Sequence, residues 1–229
     1  MAGPGKNAMG SAMLRFLRER LEEAGGRPVL LTGSGDAFSS GLDLREVAFL
    51  DLAGMGAFLC LLDDAVERLF TYPGPTVALV NGHAIAGGCV LALACDHRVA
   101  GDAAGARIGL NEVANGLRYP PRILAMVRHR VPAPHAERVV LGAELLDPAG
   151  ALRAGLLDEV SSGARLAAEA RLAALAALPA AAYAAAKRDL RGAVMAPVPA
   201  EEERFAREGL PAWVDPALKA RLLRVLEKR

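Results

Sequence analysis

Between residues 9 and 24 the apolar side chains fall at Met13, Leu14, Phe16, Leu17 and Leu21, the spacing of one face of an α-helix. Gly25-Gly26 ends it. The period then changes. Pro28–Thr32 is a short apolar run of strand length, and the stretch from Gly33 to Leu44, with three glycines, reads as a long loop. Helical spacing returns at Leu59, Leu62, Ala65, Val66 and Leu69, and Tyr72-Pro73-Gly74-Pro75 breaks it. Thr76–Val80 is a short run rich in β-branched and apolar residues, as in a strand buried on both faces.

The centre of the pattern follows. Gly82 ends the strand, and Gly87-Gly88 opens a run of Cys, Val, Leu and Ala with no helix breaker, which predicts a buried helix. Further strands are expected at His97–Ala100, Ala106–Leu110 and Leu156–Val160. Helices are expected from Tyr119-Pro120-Pro121 to about Arg130, over Pro134–Leu141 and over Asp147–Ala154. Beyond Ser161 the chain reads as helical, alanine-rich and proline-broken. Alternating strands and helices over residues 28–160 argue an α/β fold with a parallel sheet and crossovers. The expected organisation is a core over residues 1–160 and a helical region over residues 161–229.

Composition narrows the function classes. The chain has 229 residues, enough for one sizeable core. Its formal net charge of +1 gives no reason to expect nucleic acid or an anionic membrane as partner. No apolar run has the length of a membrane span, and no signal-peptide pattern is present; the odd, unpaired cysteine usage reads as that of a cytoplasmic protein. Cys60, Cys89 and Cys95 form no CxxC pair and do not cluster with the four histidines, so no metal site is expected.

Candidate chemistry concentrates at two places. Paired glycines at a helix start let a ligand approach bare backbone, where free N–H groups and the helix dipole favour negative charge such as a developing oxyanion. The alternative is that Gly87 and Gly88 only permit tight packing. The Gly33–Leu44 stretch lacks the third glycine of a dinucleotide fold, because Phe38 stands there, and neither of its serine spots fits Gly-x-Ser-x-Gly. His83 as a base and Cys89 as a nucleophile are weaker candidates than structural roles for both. Asp96 reads as a cap or ion-pair partner at a helix end.

Three stretches carry a resemblance in this order: Ala37-Phe38-Ser39-Ser40-Gly41-Leu42-Asp43-Leu44, Asn81 to Asp96, and Ile108-Gly109-Leu110-Asn111-Glu112. Together they are similar to the enoyl-CoA hydratase/isomerase family, the crotonase superfamily. The Gly-Leu-Asn-Glu motif resembles the Δ3,Δ2-enoyl-CoA isomerases within it. The resemblance implies a spiral of β-β-α repeats, a C-terminal helical region that builds a homotrimer or dimer of trimers, and an acyl-CoA thioester substrate. No separate cofactor is implied, since CoA is part of the substrate. Backbone N–H groups of Ser40 and Gly87 are the implied oxyanion donors, and Glu112 is the implied acid–base residue. Ser39, Ser40, Gly41, Leu42, Asp43 and Leu44 belong to the loop that resembles the family's CoA-wrapping segment, with Gly87 and Val90 also against the substrate.

Two departures bear on function. Many hydratases of the family carry a second glutamate, which maps onto Val90 here. One carboxylate suffices to move a proton from C2 to C4, whereas hydration also needs water deprotonated. The implied reaction is therefore conversion of 3-enoyl-CoA to 2-enoyl-CoA. The alternatives are a hydratase or other thioester reaction of low specificity, and an inactive acyl-CoA-binding subunit. The family also usually begins with a strand pair before the stretch matching Pro4–Ala8. Met1 to about Lys6 is therefore expected to be loosely held, with one sheet edge unpaired or covered.

Overall fold

The computed structural model describes residues 1–103 and 105–227. A short turn α1 (Pro4–Asn7) and helix α2 (Ser11–Ala24) precede strands β1 (Val29–Thr32) and β2 (Ala37–Ser39). Helices α3 (Leu44–Val47) and α4 (Leu52–Phe70) lead to β3 (Thr76–Val80), β4 (His83–Ile85) and α5 (Gly87–Ala94). Next come β5 (His97–Ala100), β6 (Ile108–Gly109) and helices α6 (Pro121–Arg130), α7 (Ala133–Gly142) and α8 (Pro148–Arg153). After β7 (Glu159–Val160) the chain is helical: α9 (Ala164–Ala176), α10 (Ala180–Arg191), α11 (Pro199–Arg204), α12 (Leu210–Trp213) and α13 (Pro216–Glu227).

The expected spiral is present. The first three turns each contribute one strand to each of two parallel sheets, ordered β1-β3-β5-β7 and β2-β4-β6, and β7 adds a fourth strand to the first sheet. Thr76 of β3 aligns with Val29 of β1, and His97 of β5 with Val77 of β3. Parallel pairing demands a crossover between partners, and the second strand with its following helix supplies it.

The Gly33–Leu44 stretch is not the long loop its glycines suggest, because it holds β2 and ends at α3. Three residues are too few to display strand alternation, and all three are buried. Pairing of β2 with β4 gives this segment its form. His83–Ile85 becomes β4 for the same reason. Strand β6 is shorter than the expected Ala106–Leu110, and β7 shorter than Leu156–Val160. Helix α4 begins at Leu52 rather than Leu59, with Asp51 Oδ1 accepting the Gly54 N–H at 2.7 Å as its N-cap. Gly54 and Gly56 hide that first turn from a propensity reading.

The N-terminal residues are fastened rather than loose. The Met1 carbonyl accepts the Ser34 N–H at 2.8 Å. Asn7 Nδ2 donates to the Ser34 and Ala37 carbonyls, and Lys6 pairs with Asp36 at 2.9 Å. Strand β1 is an end strand of its sheet, as expected for that edge.

The helical C-terminal stretch packs back on the core. Ala168 of α9 joins Val77, Leu79 and Val99 in a small cluster on one sheet face. Asp96, at the end of α5, pairs with Lys187 and Arg191 of α10, each at 2.8 Å, and accepts the Tyr183 hydroxyl. Trp213, Leu218 and Leu222 are buried in the main core, and the Trp213 indole donates to the Arg118 carbonyl at 2.9 Å. The apolar stripe of the tail thus has a partner within its own chain.

Candidate active site

One cleft collects a piece of each spiral turn. Ser40, Leu42 and Leu44 come from the first turn, Ile85, Ala86, Gly87 and Val90 from the second, and Asn111, Glu112 and Tyr119 from the third. Trp213 and Leu222 of the C-terminal helices close one wall, and the empty volume is ≈ 750 Å³. A second hollow of ≈ 1160 Å³ shares Ser40, Leu42, Leu44 and Ile85 with the cleft and adds Lys6, Arg45 and His83.

The turn from β4 into α5 is sharp. Ala86 sits at φ 50°, ψ −120°, a conformation that costs a non-glycine residue about 1–3 kcal/mol. Its N–H donates to the Gly109 carbonyl at 2.8 Å, and its carbonyl accepts the Val90 N–H at 3.0 Å. This turn swings the start of a fully buried helix toward the cleft. The two readings of the glycine pair divide between them. A Cβ on Gly88 would stand 2.4 Å from the Ser39 carbonyl oxygen, so Gly88 serves packing of α5 on β2. Gly87 lines the cleft, and its N–H has no protein acceptor among the described residues.

The opposing loop differs from expectation. The Ser40 N–H donates to the Lys6 carbonyl at 3.0 Å and the Gly41 N–H to Ser39 Oγ at 3.2 Å. The Asp43 N–H donates to the Met9 carbonyl at 3.0 Å. Among the described residues the N–H groups of Leu42 and of Leu44, the first residue of α3, have no protein acceptor, and Leu42 follows Gly41 at its close approach to Gly87. Ser40 is therefore a poor oxyanion donor in this structure, and Leu42 is the available donor next to the Gly41–Gly87 approach. Gly41, at φ +92°, makes the approach possible: a Cβ there would meet the Ile85 carbonyl at 2.9 Å and lie 3.6 Å from the Gly87 nitrogen.

The other loop residues have structural work. Ser39 is fully buried behind the cleft, with Oγ donating to the Asn7 carbonyl at 2.8 Å, so it does not reach the substrate space. Ser40 Oγ donates to the Gly5 carbonyl at 2.7 Å. Asp43 caps α3 by accepting the Arg45 N–H, and Leu44 lines both hollows. His83 lies in the outer hollow, where Nδ1 accepts the Arg107 N–H at 3.2 Å. Cys89 is fully buried, and burial, then nearby Glu112, pushes its thiol up to about 12, so it is no nucleophile.

Glu112 lies at the start of a 3-10 turn, Val113–Asn115. Its carbonyl accepts the Asn115 and Leu117 N–H groups at 3.0 and 2.9 Å, while Gly116 at φ +77° reverses the chain. The residue is 7% exposed. Burial pushes its carboxyl up to about 7, against the Tyr119 hydroxyl, which donates to Oε2 at 2.7 Å and pulls it down. A carboxylate poised near neutrality is suited to general acid–base work. Val90 is 2% exposed on the cleft wall, and Glu112 is the one carboxylate among the cleft-lining residues described. Tyr119 and Trp213 escape a sequence reading, because only the folded chain brings them to Glu112.

Two sheets wound in β-β-α turns, with a cleft between two free backbone N–H groups and one buried glutamate, define a crotonase-fold protein. The enoyl-CoA hydratase/isomerase family model matches residues 1–208, and the chain belongs to that family. Human mitochondrial Δ3,Δ2-enoyl-CoA isomerase superimposes with a TM-score of 0.91 at 27% identity, covering 99% of this chain and 90% of that one. A probable enoyl-CoA hydratase of Mycobacterium avium is 32% identical over 161 residues, 69% of this chain and 62% of that protein. The mitochondrial enoyl-CoA delta isomerase 1 of Mus musculus is 37% identical over 135 residues, 58% of this chain and 47% of that protein. These matches thus span roughly half to three-fifths of the length of the curated relatives.

Proposed function

We propose that this protein isomerises 3-enoyl-CoA to 2-enoyl-CoA with Glu112 as its single acid–base residue. The observation that carries the reading is the cleft's one described carboxylate, buried and poised near neutrality, beside the free N–H groups of Leu42 and Gly87. The thioester oxygen accepts those two N–H groups. Glu112 takes a proton from C2, and the electron pair spreads through the thioester as a dienolate. The same carboxyl returns the proton to C4, leaving the double bond between C2 and C3. No water is consumed. Each oxyanion donor supplies on the order of 10²–10³ in rate. In the same reading the outer hollow takes the polar part of CoA, with Arg45 offering positive charge to its phosphates. Assembly as a homotrimer or dimer of trimers belongs to the proposal and is measured by light scattering.

An ultraviolet assay with 3-enoyl-CoA and 2-enoyl-CoA side by side tests it. Turnover of the 3-enoyl thioester, with little hydration of the 2-enoyl one, supports the isomerase. Preferred hydration would make it a hydratase, and acyl-CoA binding without turnover would make it an inactive subunit.

A further inference from the structure

Tyr119 stands seven residues beyond Glu112, half-buried on the cleft wall, and among the described residues its hydroxyl is the one side-chain donor that meets the Glu112 carboxylate. Its placement is built in. Pro120-Pro121 restrains the backbone on one side. On the other, the Arg118 carbonyl is held by the Trp213 indole. The loop that carries both groups is closed by the two hydrogen bonds to the Glu112 carbonyl.

We propose that Tyr119 is the positioning residue for Glu112: its hydrogen bond occupies Oε2 and leaves Oε1 as the oxygen that exchanges protons with the substrate. This rests on the isomerase reading of the cleft. A glutamate side chain has several rotamers, and a 1,3-proton shift needs one oxygen held within reach of both C2 and C4. A neutral donor suits the task. A lysine or arginine there would hold the carboxylate too acidic to lift a carbon-bound proton, whereas a phenol steadies it while burial keeps it basic. Burial, then Glu112, also pushes the phenol itself up, so Tyr119 keeps its proton and acts as donor, not acid. When Glu112 takes the C2 proton on Oε1, Oε2 still accepts from Tyr119, so the same oxygen returns the proton to C4.

Glu112's own backbone N–H also hydrogen-bonds its carboxylate and is the same in every variant, and the side chains nearby do not duplicate the role of Tyr119. Cys89 of α5 is neutral, Arg118 lines the same cleft but is exposed, and Arg221 of α13 lies against Gly116. No lysine or histidine is among the described lining residues of the inner cleft.

Tyr119→Phe keeps the ring and removes the donor. The acid limb of log kcat/KM against pH for 3-enoyl-CoA is expected to move up by about one pH unit, with kcat about tenfold lower and KM within about twofold. Placing 3-fluorotyrosine at position 119 makes the phenol a stronger donor and moves the limb down. Opposite shifts support the proposal, and a purely structural role produces neither. A limb that stays put in both variants, or moves the same way in both, overturns it. If Tyr119→Phe does not fold, the fluorinated protein decides by the direction of its shift. An infrared titration of the Glu112 carboxyl, assigned by its loss in Glu112→Gln, separates this test from the isomerase reading. An upward move of that titration in Tyr119→Phe supports the pairing even if the protein lacks isomerase activity, and an unmoved titration overturns it at any activity.

Discussion

Glu112→Gln tests both the chemistry and the physical cause behind it. Glutamine keeps the shape and still accepts the Tyr119 hydrogen bond, but it cannot take a proton. Isomerase turnover is expected to fall by roughly 10²–10⁴ while acyl-CoA binding persists. Stability should move the opposite way. Burial raises the carboxyl from its ordinary 4.5 to about 7 in the folded chain. Between those two values the folded state keeps a proton that the unfolded chain has lost. The stability this group contributes is therefore full below about pH 4.5, declines through the interval, and is gone above about pH 7. At 1.36 kcal/mol per pH unit, the interval amounts to about 3 kcal/mol. Glutamine carries no such penalty, so the variant should gain most of that amount over the parent at pH 8 and little at pH 4.5. Urea unfolding at both pH values, with m unchanged, measures it. An equal stability difference at both would show that Glu112 does not titrate near neutrality. Full activity in the variant would show that another group is the base.

Three further substitutions probe the rest of the site. Val90→Glu places a second carboxylate on the cleft wall, and measurable hydration of 2-enoyl-CoA should appear, with some loss of stability from the buried polar group. Strong hydration by the parent would refute the role given to Val90. Gly88→Ala drives a Cβ to 2.4 Å from the Ser39 carbonyl, so β2 and α5 must separate; a loss of about 1–3 kcal/mol is expected in urea unfolding, and an unchanged midpoint would refute the packing argument. Asp96→Asn leaves Lys187 and Arg191 buried without their counter-charge, and a loss of about 3–5 kcal/mol in the same assay is expected; a loss below about 1 kcal/mol would show that those cations reach water instead.

Local pattern was enough for much of this chain. The stripe of α2, the apolar run of β3 and the prolines that start α6 and α8 are signals carried by neighbours in sequence, so they are legible without the fold. The motif stretches likewise point to Glu112, Gly87 and the spiral. Tertiary structure decided what depends on partners far along the chain. Strands β2 and β4 have three residues each and exist because they pair with one another, so their residues read as loop when taken alone. A backbone N–H is available only if nothing accepts it. Lys6, 34 residues upstream, occupies that of Ser40 and leaves Leu42 as the free donor beside Gly41, which no motif states. The apolar stripe of the C-terminal helices marks a buried face without naming its cover, and the fold supplies the chain's own core through Trp213 and Leu222. Tyr119 reads from sequence as a residue before a helix. It becomes Glu112's partner only because Gly116 reverses the chain between them, and the low dielectric of the closed cleft then makes that one hydrogen bond matter.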